Sequence, residues 1–383
     1  MWLAAAQGLS SLSNFGINIV ALIVLEPTEF GAFSVAILGY RLSLAVTRSL
    51  VIEPVLTHQD AESLLRGSPT VAFGWGMAVF LPALVIVAVA GNPLRGVVLA
   101  LIALGPALLA EEAFRQLLVA RGQLKRACAI EGIWVLVAAI AVGVLLLTDS
   151  FGPVSGFVAW GGAGAVAAAA GVLLSGDRAH RGEVIECSRA VRATFGLLAA
   201  TTAATRGATQ VAVVLVGVVL GLDGLGRLRG AQTLVSPAAV LVQAARLSSF
   251  KSSAGIEGQI RRTRQVHSIA FIGAVVWSSI VVVALPFLDR WFDATRVSAG
   301  AVPFEGLTIA LVILAASAEL TFRFKGAYEQ LLRRSLVWMP IPIILAPTGA
   351  VLFGPTGAAA GTALALAFRV ILLRWPTSAK SND

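Results

Sequence analysis

Apolar residues in this chain come in long blocks separated by short polar breaks. Blocks of roughly 20 apolar residues, the length that crosses a hydrocarbon core as a helix, recur twelve times. The first six are 3–25, 30–56, 70–90, 97–119, 128–148 and 154–174. The second six are 194–220, 224–247, 268–288, 301–322, 336–353 and 355–374. The breaks at 26–29, 91–96, 149–153 and 221–223 are too short to hold a folded domain. The expected fold is all-α: a polytopic membrane protein of about 12 transmembrane helices. The expected division is a first lobe at 1–175, a linker at 176–193, a second lobe at 194–374 and a tail at 375–383.

Composition sharpens this. Of 383 residues, 57% are hydrophobic and 13% charged, against about 25% charged in a typical soluble domain. That leaves too little polar surface to cover a water-soluble globule, which excludes a soluble enzyme, a disordered chain and a disulfide scaffold. The net charge of +9 would suggest nucleic acid in a soluble protein. Here it reads as loop orientation, with no nucleic-acid partner. If the spans alternate, 21 of the 29 basic residues fall on one side and five on the other. The positive-inside rule then places both termini in the cytoplasm. Cys128 and Cys187 read as free thiols near the basic side.

The two halves repeat. Glu111-x-x-Phe114-Arg115 recurs as Glu319-x-x-Phe322-Arg323. Arg121-Gly122 and Trp134 recur as Lys325-Gly326 and Trp338, and Phe151-Gly152-Pro153 as Phe353-Gly354-Pro355. The shifts lie near 200 residues and keep their order. Six intervening helices give both copies the same topology: two pseudo-symmetric six-helix bundles about an axis along the membrane normal.

Few residues carry chemistry. Gln7, Ser11, Asn14 and Asn18 lie on one face of the first helix, and the repeat maps that face onto Thr202, Arg206 and Thr209. Such a stripe is either helix–helix glue or the wall of a watery cavity. Arg41 and Arg206 fall near the middle of their spans, where a cation marks a pathway or a buried ion pair. A guanidinium keeps its proton and grips phosphate bidentately, so the pair suits a pyrophosphate. Pairing with Glu53, Glu111 or Glu112 is the structural alternative. Arg48 can bind substrate or snorkel to head groups. Glu111 and Glu112 read as intrahelical partners of Arg115, and Glu319 of Arg323, or as carboxylates that couple transport to an ion. Arg229 reads as interfacial. Pro340, Pro342 and Pro347 predict a broken eleventh helix. No metal-ligand spacing, nucleotide loop or nucleophile motif is present, so neither an enzyme nor a cofactor is expected.

Several stretches, taken in order, resemble one family. They are Gln7-x-x-Ser10-Ser11-x-x-Asn14-Phe15, Glu29-Phe30-Gly31-x-Phe33 and Arg48-Ser49-Leu50-x-x-Glu53-Pro54. Phe114-Arg115 with Ala120-Arg121-Gly122 and Trp134 follows, then Gly224-Leu225-Gly226-x-Leu228-Arg229-x-Ala231-Gln232-Thr233-Leu234. Together they look like bacterial polysaccharide flippases, the lipid-linked oligosaccharide (O-antigen type) flippases of the MOP exporter superfamily. The resemblance implies a central cationic cavity lined by the first, second, seventh and eighth helices. It implies alternating access that carries a polyprenyl-pyrophosphate glycan from inner to outer leaflet, with other polysaccharide-assembly proteins as possible partners. A MATE-like exporter of small organic cations, a membrane-embedded glycan polymerase or ligase, and a non-transporting scaffold are the competing readings.

Overall fold

The computed structural model describes residues 2–52, 62–176, 180–241, 245, 256–288 and 297–375. The side chains of Leu3, Ala4, Gln7, Ser49, 192–199, Thr202, Ala203 and Ile256 lie outside the description. So does Glu53 as a whole.

No strand occurs among the described residues. The chain runs α1 (Trp2–Val24), α2 (Pro27–Thr47), a π-helical turn (Arg48–Ile52), α3 (Glu62–Phe80), α4 (Leu84–Val89), α5 (Leu94–Ala120), α6 (Leu124–Leu147) and α7 (Pro153–Ser175). It continues as α8 (Arg181–Thr202), a second π-helical turn (Ala203–Gly207), α9 (Ala208–Val235), α10 (Ile256–Leu288), α11 (Val302–Phe324), α12 (Tyr328–Trp338) and α13 (Pro340–Arg374). Among the described residues nine helical stretches are long and apolar enough to cross a membrane, and Gly8–Val24 adds a shorter apolar one. Their outward faces carry large bare side chains such as Val89, Leu147, Leu173 and Val218, the surface expected of rods whose solvent is lipid.

Two of the long stretches double back. In α13 the helical path breaks at Phe353 and Gly354, and Gly349 and Gly361 then sit against the backbone of Gly357 and Leu345. The small residues of the Gly357-x-x-x-Gly361 spacing allow that approach. In α9 the break is Gly221, with φ 68°. The expected span 336–353 is interrupted at Met339, just before Pro340, while the helix that follows runs on through Pro342 and Pro347. Pro340 opens the helix at a position whose N–H has no intrahelical acceptor in any case.

The helices up to Ser175 pack chiefly on one another, with α5 against α3, α7 and α2, and α6 against α7 and α1. Those after Ala208 do the same, with α9 and α11 on α13 and α10 on α11. The internal repeat is visible in detail. Gly122 and Gly326 both adopt left-handed backbone, at φ 71° and 68°. The Trp134 indole donates to Trp160 O at 3.0 Å, and its counterpart Trp338 donates to Ala365 O at 2.7 Å. Both bonds are buried and lock neighbouring helices of their bundles together.

Across the two groups, α2 packs on α9. Here the backbones come so close that a Cβ on Gly31 would lie 2.1 Å from Leu222 O, and one on Gly226 1.9 Å from Pro27 O. These contacts lie at the face opposite the one where α1 begins.

Candidate functional site: a cationic central cavity

A cavity of about 620 Å³ lies between the two groups of helices. Its lining comes chiefly from α1, α2 with its π turn, α8 with its π turn, α9 and the residues just after it, α11 and α13, with Glu112 of α5 and Trp134 of α6. So α11 and α13 join the four helices expected from the resemblance. Lining residues of α1, α2 and α9 come from the middle of each helix and the half nearer the amino-terminal face. The opposite end is shut by the Gly31–Leu222 and Gly226–Pro27 packing.

Six arginines and three glutamates line it: Arg41, Arg48, Arg206, Arg229, Arg323 and Arg369 with Glu112, Glu305 and Glu319. Arg48 and Arg206 both sit in π-helical turns. A π turn holds an extra residue, so it re-aims the side chains around it, and such turns recur at functional sites.

Arg41 makes no hydrogen bond or ion pair with any described residue. The structural alternative, an ion pair with Glu111 or Glu112, is therefore not realised. Arg229, which lines the same cavity, is its electrostatic neighbour. Arg229 is no interfacial residue: it is 7% exposed and lines the cavity. One of its nitrogens donates to Gln232 Oε1, and Gln232 Nε2 donates to Glu305 Oε1 at 2.9 Å. Its Nε is buried without a hydrogen-bond partner among the described residues. Two guanidinium groups lining one cavity, one of them without an acidic neighbour among the described residues, favour a ligand with at least two negative charges.

Arg48 does not snorkel. It turns inward onto Glu112, with Nε 3.0 Å from Oε1 and Nη2 3.0 Å from Oε2. Arg115 pairs with Glu112 within its own helix, as the spacing predicts, at 2.7 Å. It does not hydrogen-bond Glu111, neither of whose oxygens has a hydrogen-bond partner among the described residues. Arg115 reaches instead to Glu131 of α6 at 3.0 Å. Glu319 is held by Arg369 of α13, a partner the within-helix expectation missed. Arg369 also stacks over the Trp338 ring at 4.6 Å. Arg323 lines the same end of the cavity.

The polar stripe divides. Ser11 and Asn14 line the cavity, and Ser10 joins them. Asn18 does not: it is 4% exposed and its amide donates to Asn14 O at 2.6 Å, so it serves as local glue. Thr209 lines the cavity with Thr201 and Thr205. The side chains of Gln7 and Thr202, and Glu53, are outside the described residues. Among the described residues no group of three His, Cys, Asp or Glu is placed to hold a metal.

No protein-family model matches the chain, and no curated protein does. Solved structures do. A eukaryotic MATE transporter, AtDTX14, superposes at TM-score 0.70 with 12% identity over 97% of this chain and 93% of that one. A MATE in its straight conformation gives 0.63 and 13% over 97% and 92%. The lipid II flippase MurJ, in an inward closed conformation, gives 0.62 and 11% over 96% and 85%. At such identities the likeness is one of fold: the chain has the all-helical, two-bundle architecture of MATE transporters and of a lipid flippase.

Proposed function

We propose that this chain is a transporter that flips a polyprenyl-pyrophosphate-linked oligosaccharide from the inner to the outer leaflet of a bacterial cytoplasmic membrane, for cell-surface polysaccharide assembly. One observation carries the reading: the cavity is lined both by Arg41, which has no acidic partner among the described residues, and by Arg229, whose Nε has no hydrogen-bond partner among them. The pyrophosphate lies between these two guanidinium groups. Arg206 and Arg48 guide it inward, and the sugars lie against Ser11, Asn14 and Thr209. The lipid tail stays in the bilayer.

Reading the bends at Gly221 and Gly354 as turns between crossings gives twelve crossings, with both termini in the cytoplasm and the cavity facing inward. Alternating access then consists of parting the α2–α9 contact outside while the inner ends close. Export of small organic cations, the nearest rival, fits poorly with a lining of six arginines and three glutamates, which repels such cargo.

The test is mass spectrometry of polyprenyl-linked glycans in a strain lacking the gene. A complete lipid-linked repeat unit should accumulate. Wild type should clear it, and an equally expressed Arg41→Ala/Arg229→Ala double variant should not. Absence of accumulation, or full rescue by the double variant, would contradict the reading.

A further inference from the structure

Beside the cavity, inside the first bundle, lies a second group of ionisable side chains that anion binding alone does not require. Glu111, Glu112 and Arg115 come from α5, Glu131 from α6, Arg48 from the π turn after α2 and Tyr40 from α2. Glu111, Glu112, Arg115 and Glu131 are each at most 3% exposed. Glu112 takes most of the available positive charge: both arginines and the Gln116 amide, at 2.8 Å, converge on it. Among the described residues Glu131 has Arg115 as its ion-pair partner. Glu111 has no hydrogen-bond partner among the described residues, and its first electrostatic neighbour is another carboxyl, Glu131.

Three carboxyl groups thus share two guanidinium groups in a membrane interior. An ionised, unpartnered carboxylate there costs so much solvation energy that the group neutralises instead. Charge balance calls for one proton on the cluster. Arg48 ties this balance to the cavity, because it lines the cavity and keeps 28% of its side chain exposed while pairing with Glu112. An anion that draws Arg48 away leaves three carboxyls with one guanidinium.

We propose that Glu111 and Glu131 form a proton-binding site linked through Glu112 and Arg48 to the anion cavity, so that anion binding draws in a further proton. The linkage is reciprocal: a protonated cluster holds the anion more tightly. It rests on the anion reading above, whereas the resident proton does not.

The experiment is infrared spectroscopy of the full chain in phospholipid nanodiscs at neutral pH, with farnesyl pyrophosphate as probe and its binding measured in parallel. Wild type should show the carbonyl band of a protonated carboxylic acid, reduced in Glu111→Gln or Glu131→Gln. The probe should enlarge the band, and Arg48→Gln should enlarge it without the probe. A wild-type spectrum lacking the band, or a band unchanged in both glutamine variants, overturns the proton site. Probe binding with no change in the band, or an unchanged band in Arg48→Gln, overturns the linkage. Failure of the probe to bind removes the anion reading and the linkage with it, while the band still decides the proton site.

Discussion

Gly226→Ala isolates the closed end of the cavity. A Cβ there would sit 1.9 Å from Pro27 O and 2.8 Å from its carbonyl carbon. Both are backbone atoms, so no rotamer change relieves the clash. The two helices must separate by about 1.5 Å to reach ordinary contact, and overpacking of this kind costs about 1–3 kcal/mol. If α2 and α9 part during the transport cycle, only the closed state bears that cost. At about 1.4 kcal/mol per factor of ten, the open population should rise by roughly 5- to 150-fold. The assay is distance measurement between spin labels at Thr28→Cys and Asp223→Cys, both exposed near this contact, with Cys128 and Cys187 replaced. Gly74→Ala, where a Cβ meets nothing within 4 Å, is the control. A longer distance component in Gly226→Ala but not in Gly74→Ala is expected. Identical distance distributions, with both variants folded, would refute a separable contact at this face.

Other consequences follow from the same contacts. Arg41→Gln and Arg229→Gln should each weaken farnesyl pyrophosphate binding about 10- to 150-fold, the loss of one charge-assisted bond at about 1.5–3 kcal/mol, read by equilibrium binding. Trp134→Phe and Trp338→Phe each remove a buried side-chain bond to a helical carbonyl and should cost about 0.5–1.5 kcal/mol, so the two should lower the thermal midpoint comparably. Cys187 is buried against Gly67, next to the Arg66–Glu183 pair at 3.7 Å, and burial pushes its thiol up to about 11. It should therefore be alkylated far more slowly than Cys128 at neutral pH, with the gap narrowing in Glu183→Ala as α8 loosens from α3.

The helices were legible because a membrane demands about 20 apolar residues per crossing, and that demand leaves blocks which no other constraint imitates. The repeat was legible because Trp134 and Trp338, and Gly122 and Gly326, hold positions that few other residues fill. Much of the cavity was not. Periodicity fixes which residues share a face, not which neighbour that face meets, so Asn18 joined a stripe whose inner part alone reaches the cavity. The snorkelling alternative for Arg48 fell because the structure pairs it, from its π turn, with Glu112, 64 residues further along the chain. Arg229 was misplaced by its distance from the helix end. A better signal was available: Arg229 and Gln232 three apart in an apolar span, with a lone Glu305 in another. Glu131 was passed over entirely, although a carboxylate within an apolar span called for a partner.

The most direct test of the central claim is translocation itself. The protein is reconstituted into vesicles with a fluorescent short-chain polyprenyl-pyrophosphate glycan, and loss of signal to a membrane-impermeant quencher is followed over time. Protected inner-leaflet label should become accessible with wild-type protein, and should stay protected with the Arg41→Gln/Arg229→Gln variant and in empty vesicles. Equal translocation by wild type and by that variant would contradict the account.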